Sequence, residues 1–504
     1  MSRLPSILVL LGIGCLASPV WAQFDSDPES IERGRELFTH QWKPNDTLSP
    51  NGDGLGPVYN ANSCVACHAQ GGIGGSGANE SNAQMLAFVP EPGKFTSRNI
   101  DSIRNRLRTM HPLFVNNDGN ISTGVLLHRY STNPDYAAIH ANVTQPLEET
   151  FNSRTRMRRM LRERNLSDIG FLPLKLVTYT KDLQFALAER NPPQLFGAGE
   201  IADKVLDSDI EAIARAQLLT SNETGISGRK VGRFGWRGQL DDLSAFVKGA
   251  CAAEVGLQVD QMYQSPDPTK PNEKLEGVDL TADQTKQLID YVAALPRPAQ
   301  VLPEDPNARS RVTQGHLLFE SIGCASCHVE DVGALKGVFS DFLLHDMGPE
   351  FEDPIPAQRI PVQVVSIEDR YEMPSYYGSD YIPPRIIVEK YSVAIKEDRK
   401  EYREYRTPPL WGVADSGPYL HDGRAESIRA AIELHNGEAR GATATFMRLN
   451  EEEQFSVISF LESLKAPESA EMVPDRVAER PVTDVDADKI SSTIEGTMDS
   501  VASR

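Results

Sequence analysis

Two stretches of the chain place apolar residues at helical spacing, and proline follows each. Between Thr281 and Leu295, the residues Leu288, Ile289, Val292 and Ala293 share a face, and Pro296 and Pro298 come next. Between Glu451 and Leu464, the apolar positions are Phe455, Val457, Ile458, Phe460 and Leu461, with Pro467 beyond. Apolar residues three and four apart predict an amphipathic helix, and a proline cannot extend one. Upstream of these lie two similar segments, Gly34-Arg35-Glu36-Leu37-Phe38 and Gly315-His316-Leu317-Leu318-Phe319, each predicted to open a helical unit. Residues 296–310, with prolines at 296, 298, 303 and 306, read as a linker. The pattern divides the chain into two halves, each opened and closed by a helix.

A second repeat lies inside the halves. Phe234-Gly235-Trp236-Arg237-Gly238 aligns with Tyr419-Leu420-His421-Asp422-Gly423. Continued without a gap, Leu243 falls on Ile428, Ala245 on Ala430 and Val247 on Ile432. Ala250 then stands opposite His435.

The remaining segments follow other patterns. Arg3, the apolar run Ile7 to Ile13 and Val20-Trp21-Ala22 read as an export signal, residues 1–22, cut after Ala22. Its apolar core is too short to span a membrane. Cys15 sits inside that run, and Gly12 three residues earlier departs from a lipidation signal. Residues 70–220 form a long insertion. It opens with Gly71-Gly72-Ile73-Gly74-Gly75-Ser76-Gly77, which follows no strand and is therefore no dinucleotide loop; these glycines are expected to let the chain run close to a cofactor. Thr155 to Asn165 is basic and expected to be a solvated helix. The rest of the insertion is expected to be irregular. The tail, 467–504, is acidic, lacks periodicity and is expected to be disordered.

Composition narrows the functional class. The chain has 504 residues, 40% hydrophobic, with a formal net charge of -20. Such an acidic protein is a poor ligand for nucleic acid or anionic membrane. The charge suits a basic partner, such as a small electron-carrying protein, or serves solubility alone.

The cysteines carry most of the chemistry. There are six: Cys15 in the leader, Cys251 alone, and four in Cys64-Val65-Ala66-Cys67-His68 and Cys324-Ala325-Ser326-Cys327-His328. Two thiols separated by two residues match the two vinyl groups of a porphyrin, and the adjacent His lies under the ring to bind iron. A thiol redox pair or half of a zinc site explains one such motif, but not two copies each followed by His. The expectation is two covalent c-type haems in an exported protein. The opposition of Ala250 to His435 makes the surroundings of the two motifs unequal.

At this point the sequence resembles the di-haem oxidoreductase family, related to bacterial di-haem cytochrome c peroxidases and to the di-haem enzyme of methylamine utilisation. The resemblance rests on both CxxCH motifs, Phe339-Ser340-Asp341-Phe342-Leu343-Leu344-His345-Asp346-Met347-Gly348, and Arg406-Thr407-Pro408-Pro409-Leu410-Trp411-Gly412. Gly417-Pro418-Tyr419-Leu420-His421-Asp422-Gly423-Arg424 and Gly232-Arg233-Phe234-Gly235-Trp236 add to it. It implies a mainly α fold with two cytochrome c-like domains, 23–300 with the insertion and 305–466.

The resemblance also implies roles. Cys64, Cys67, Cys324 and Cys327 attach the haems, and His68 and His328 are the proximal ligands. His435 takes the place where the peroxidases use Met as sixth ligand of the C-terminal haem. Trp236 matches the tryptophan between the haems, and Glu254 the acidic residue over the open haem. Ser244 stands where the peroxidases have glutamine. Pro418 and nearby carbonyls match part of a calcium site between the halves. His345 and Met347 remain alternative ligands, and His345 is equally a candidate partner for a propionate. Arg406 and Arg424 are further propionate candidates. His421 is expected to orient groups near the second haem, and Cys251 to be a small buried residue. His111, His128 and His140 all remain open as resting-state ligands of the first iron.

The implied activity is reduction of hydrogen peroxide at the N-terminal haem, with electrons passed from a small c-type cytochrome or cupredoxin through the C-terminal haem. A di-haem oxygenase or protein-modifying oxidase, and a pure electron carrier, are the alternatives.

Overall fold

The structure is a computed structural model. It describes residues 27–89, 99–122, 124–144, 176–180, 183–273, 275, 277–353, 361–368, 385–392 and 402–472; for 89, 176–180, 184, 361–368 and 385–392 the backbone alone is described. The leader, the basic stretch 155–165 and the tail beyond 472 lie outside the described residues.

The expected opening and closing helices are present and pack in pairs. Pro28–Thr39, capped by Asp27, lies against Ala282–Ala294, capped by Thr281 and Gln284. Pro306–Ser321, capped by Asp305, lies against Glu451–Glu462, capped by Asn450 and Glu453. The glycine of each opening segment explains the repeat. Gly34 meets the Gln287 carbonyl and Gly315 the Ser456 carbonyl so closely that a Cβ at either would overlap it. The two crossings are therefore set by the same residue type at the same point. Phe455 does not join the core face: it is 48% exposed, with the Arg311 guanidinium 4.9 Å from its ring centre.

The second repeat is also structural. The bridge Phe234↔Leu240 corresponds to Tyr419↔Ala425. Gly235 and Gly238 have positive φ, and so do their counterparts Leu420 and Gly423. Asp242 caps Leu243–Ala250, and its counterpart Ser427 caps Ile428–Leu434. The register is unbroken, so Ala250 ends its helix where His435 caps the other.

The insertion is not irregular as the sequence pattern suggested. It holds a four-stranded antiparallel sheet in the order Gly124–Leu127, Ala83–Val89, Leu183–Arg190, Leu176–Thr180. Helix Ile100–Met110 covers it, and Leu86, Phe88, Ile103, Leu107, Phe114 and Phe185 form a core of their own. Helices Ala198–Lys204 and Asp207–Thr224 complete the insertion. Leu86 pairs with Leu187; partners so distant in sequence leave no local hairpin signal between them.

The halves are not packed separately. Val332, Leu335, Phe342, Leu343 and Trp411 share one core with Leu37, Phe38, Val65 and Leu288. A three-stranded sheet places Leu343–Asp346 between Glu404–Arg406 and Arg229–Lys230. The second core gathers Val312, Phe319, Phe446, Val457 and Phe460. Residues 467–472, expected to be disordered, are placed: Ile73 N–H donates to the Glu471 carbonyl at 2.8 Å, and Ala470 lies on Gly72. Among the described residues no helix is long and apolar enough to cross a membrane.

Candidate haem sites and the path between them

Each CxxCH motif forms a tight turn in which the His amide donates to the first Cys carbonyl, at 3.1 Å for His68 and 3.0 Å for His328. The imidazoles are then fixed by their Nδ1 atoms. His68 Nδ1 bonds the Gly75 carbonyl at 3.1 Å, and His328 Nδ1 bonds the Phe339 carbonyl at 3.0 Å. That leaves each Nε2 to coordinate, the arrangement by which a second partner orients a ligating histidine. Burial pushes both imidazoles down to about 4, which keeps them neutral, the ligating form.

The segment Phe339–Gly348 is built around the second motif. Phe339 and Phe342 both adopt positive φ, at 53° and 57°, which costs a non-glycine residue roughly 1–3 kcal/mol. Both rings are buried, and their packing holds the strained backbone in place. The turn aims the Phe339 carbonyl at His328 and the Asp341 amide at the Cys327 carbonyl, the latter at 2.9 Å.

His435 faces His328. Their ring centres are 6.4 Å apart. Two imidazoles that share one metal at roughly 2 Å each have ring centres about 6 Å apart. His435 Nδ1 bonds the Ala431 carbonyl at 2.7 Å, which again leaves Nε2 for the gap. His345 is not in that gap. Its Nδ1 bonds Glu438 at 2.7 Å and its Nε2 bonds Asp341 at 2.9 Å, so both ring nitrogens are engaged. Burial alone would lower its pKa, but the bonds to Asp341, Cys327 and Glu438 outweigh it and push it up to about 12.

A single apolar cavity runs from Cys324, Cys327, His328 and His435 to Phe196, Phe234, Trp236 and Phe246. Arg406 lines it and is 8% exposed. Among the described residues its side chain donates to the Gly235 and Thr407 carbonyls, and burial lowers its pKa to about 10. A buried guanidinium held by neutral carbonyls fits an anion in the cavity, as a propionate would supply. Arg424 is already matched, at 2.8 Å to Asp422 and to the Glu350 carbonyl. The residues present therefore fit a haem at the second motif: two thiols, two opposed imidazoles and a cation.

Around the first motif, Ala250 offers no ligand. The helix runs on into a π-turn, Cys251–Val255, that carries Glu254. Asn60 Nδ2 donates to the Glu254 carboxylate at 2.6 Å, and the Glu254 carbonyl accepts from the Asn60 amide at 2.7 Å. Burial raises the Glu254 pKa, opposed by the Asn60 bond and the Arg129 charge. Its carboxylate is near enough to Cys67 to raise that thiol, so the acid lies beside the first motif. Cys251 is buried, as expected. Ser244 lies in the first turn of its helix, its amide capped by Asp242.

His128 reaches the same turn: its Nε2 bonds the Ala253 carbonyl at 2.9 Å. Burial lowers the pKa of His111, with His128 and His140 adding to the effect, and neither His111 Nε2 nor His140 Nε2 has a hydrogen-bond partner among the described residues. Burial pushes His111 and His128 down to about 4. Nothing in their spacing separates these three; of them, His128 contacts Ala253.

Trp236 lines the cavity that reaches the second motif. Its Nε1 donates to the Asn191 carbonyl at 2.8 Å, and the Asn191 amide donates to the His421 carbonyl at 2.8 Å. His421, whose pKa burial holds well below the ordinary value, stacks on Tyr405 at 4.0 Å between centres. His421 thus belongs to the junction between the halves. Met347 also lines the cavity.

Residues 393–464 match the profile of the "Di-haem oxidoreductase, putative peroxidase" family. Over 264 residues, 48% of the chain, the sequence is 24% identical to the cytochrome-c peroxidase IdrP2 of Denitromonas iodatirespirans, of which the match covers 67%. Over 167 residues, 32% of the chain, it is 25% identical to the methylamine utilization protein MauG of Methylorubrum extorquens, of which the match covers 36%. A solved hydrazine synthase from Kuenenia stuttgartiensis aligns over 55% of this chain and 73% of its own, at 16% identity and a TM-score of 0.28. The chain thus carries the di-haem oxidoreductase profile in its C-terminal half and is similar, at low identity, to a cytochrome-c peroxidase and to MauG.

Proposed function

We propose that the protein is a periplasmic di-haem c-type oxidoreductase that reduces hydrogen peroxide at the N-terminal haem, with electrons relayed through the C-terminal haem. The observation that carries this reading is the pairing of Ala250 with His435 in one structural register. The second iron site has two opposed imidazoles; the first has His68 on one side and no side-chain ligand at the matching place. An open position suits substrate chemistry, and a closed one suits outer-sphere electron transfer.

The chemistry a bound haem would supply is iron redox at the O–O bond. The chain's own residues do the rest. Cys64, Cys67 and His68 hold one haem, and Cys324, Cys327, His328 and His435 the other. Glu254 takes a proton from the nearer peroxide oxygen and delivers it to the leaving one, so that two electrons and two protons in total yield two waters. The raised pKa of Glu254 suits that exchange. Asn60 fixes the carboxylate. Trp236, tied at both the indole and the neighbouring backbone, provides the bridge between haems. The donor is a small cytochrome or cupredoxin. The carbonyls near Pro418 would supply part of a calcium site at the junction.

A second reading, a di-haem oxygenase or protein-modifying oxidase, is favoured by Ser244, which offers no amide opposite Glu254. Ferric electron paramagnetic resonance and stopped-flow mixing test the proposal together. One high-spin and one low-spin haem, with peroxide turnover on a reduced small cytochrome, is the expected result. Two low-spin haems inert to peroxide and cyanide would leave the electron-carrier reading. Absence of peroxide turnover, with oxygen incorporated into an organic substrate, would favour the oxygenase.

A further inference from the structure

The segment after the second motif and the turn after His435 approach one another around one buried side chain, His345. It is 3% exposed and lies on the strand Leu343–Asp346. Asp341 belongs to the proximal side, because its amide donates to the Cys327 carbonyl at 2.9 Å, one residue before His328. Glu438 belongs to the distal side, in the turn Gly437–Ala439 that directly follows His435. His345 bonds both carboxylates, at 2.9 and 2.7 Å, and so joins the two sides of the iron site through one ring.

The surroundings of the ring are set for that task. Gln217 Nε2 donates to Asp341 and to the Ser326 carbonyl, both at 2.8 Å, tying the helix Asp207–Thr224 to the motif loop. The Ser227 amide donates to the Glu438 carboxylate at 3.1 Å. The His435 carbonyl accepts from Thr443 Oγ1 at 3.0 Å. A neutral imidazole has one N–H and can donate to one carboxylate; donating to both takes the protonated ring, whose charge offsets the pair.

We infer that His345 is a positioning residue for the second haem: a charged link that holds the turn carrying His435 at the distance from the His328 loop that bis-imidazole ligation needs. The link also fixes the local charge beside Cys327, with two carboxylates and one imidazolium. It therefore sets the second haem's potential as well as its geometry. The first motif has a weaker arrangement at the matching turn, where His128 reaches only the Ala253 carbonyl.

This inference rests on the bis-histidine reading of the second haem, and the experiment separates the two. The full-length holoprotein, with two haems confirmed by mass, is measured by ferric electron paramagnetic resonance and spectroelectrochemistry. A wild-type protein whose second haem is not bis-imidazole low-spin overturns the parent reading. Given that signal, His345→Gln is expected to convert part of the second haem to high spin while the first haem's signal stays unchanged. Glu438→Gln keeps a hydrogen-bond acceptor for His345 but removes a charge. It is expected to keep the low-spin signal and to raise the second midpoint by about 59 mV, a tenfold change in the reduced-to-oxidised ratio. A His345→Gln protein with wild-type spin state and midpoint overturns the link. If His345→Gln does not accumulate, an unchanged midpoint in Glu438→Gln overturns it.

Discussion

Trp236 and His421 occupy the same place in the two repeats and meet edge to face, with ring centres 6.5 Å apart and planes at 73°. Asn191 joins them, accepting from the Trp236 indole and donating to the His421 carbonyl. The pseudo-symmetric halves thus touch at a residue that each contributes. The indole is oxidisable and faces the cavity; the histidine is buried and neutral. Replacing Trp236 with Phe should leave both haem spectra intact and slow peroxide turnover about tenfold or more, equivalent to about 1.4 kcal/mol in barrier. Steady-state turnover with a reduced cytochrome checks this.

Glu254→Gln should lower turnover by about 10²–10⁴-fold, the range for losing a general acid–base group. The acid limb has a defined sign. The base form is lost as pH falls through a folded pKa raised above 4.5. Turnover should therefore decline at a pH above that of an ordinary glutamate, and this limb should vanish in Glu254→Gln.

The ligand assignment can be tested in both directions. His435→Ala should turn the second haem high-spin, and Ala250→His should turn the first low-spin and abolish peroxide turnover. Ferric spectra before and after cyanide addition report both. An unchanged spectrum in His435→Ala would refute its ligation.

Gly34→Ala and Gly315→Ala insert a methyl where a backbone carbonyl already lies. Each should cost about 1–3 kcal/mol of stability. Calorimetry should show a lower melting temperature, with haem content unchanged in the fraction that folds.

Asp353 supplies an acid-dependent share of stability. Burial would raise its pKa, but the Arg190 and Arg237 charges outweigh it and hold it below 3.8. A folded pKa below the unfolded one means stability present above about pH 4 and lost as pH falls through the folded value. Asp353→Asn should unfold more easily at pH 7, by about 3–5 kcal/mol, because it strands buried arginine charge. Its stability should also fall less steeply on acidification, as denaturant melts at several pH values would show.

The chain's periodicity and motifs disclosed what is local. The closing helices and the two CxxCH turns each depend on contiguous residues. The repeat around Trp236 and His421 was legible despite few shared identities, because turn shape and helix register persist when side chains change. What stayed hidden depends on distant partners. The sheet in the insertion pairs Leu86 with Leu187, and neither strand announces the other. His345 looked equally like a ligand or a propionate contact, because Glu438 lies far along the chain from it. Glu254 gained a setting only once Asn60 and the π-turn were in view.

The contact between Ile73 and Glu471 has a temporal consequence. It completes the loop that orients His68, yet its two partners lie near opposite ends of the described chain. The chain emerges from its N-terminal end, Ile73 long before Glu471, and contacts of such separation form late. Cys64 and Cys67 would stay reachable for chemical modification during that interval, while the second motif, with its helices close at hand, matures sooner after it emerges. The first motif is then the last to be sealed.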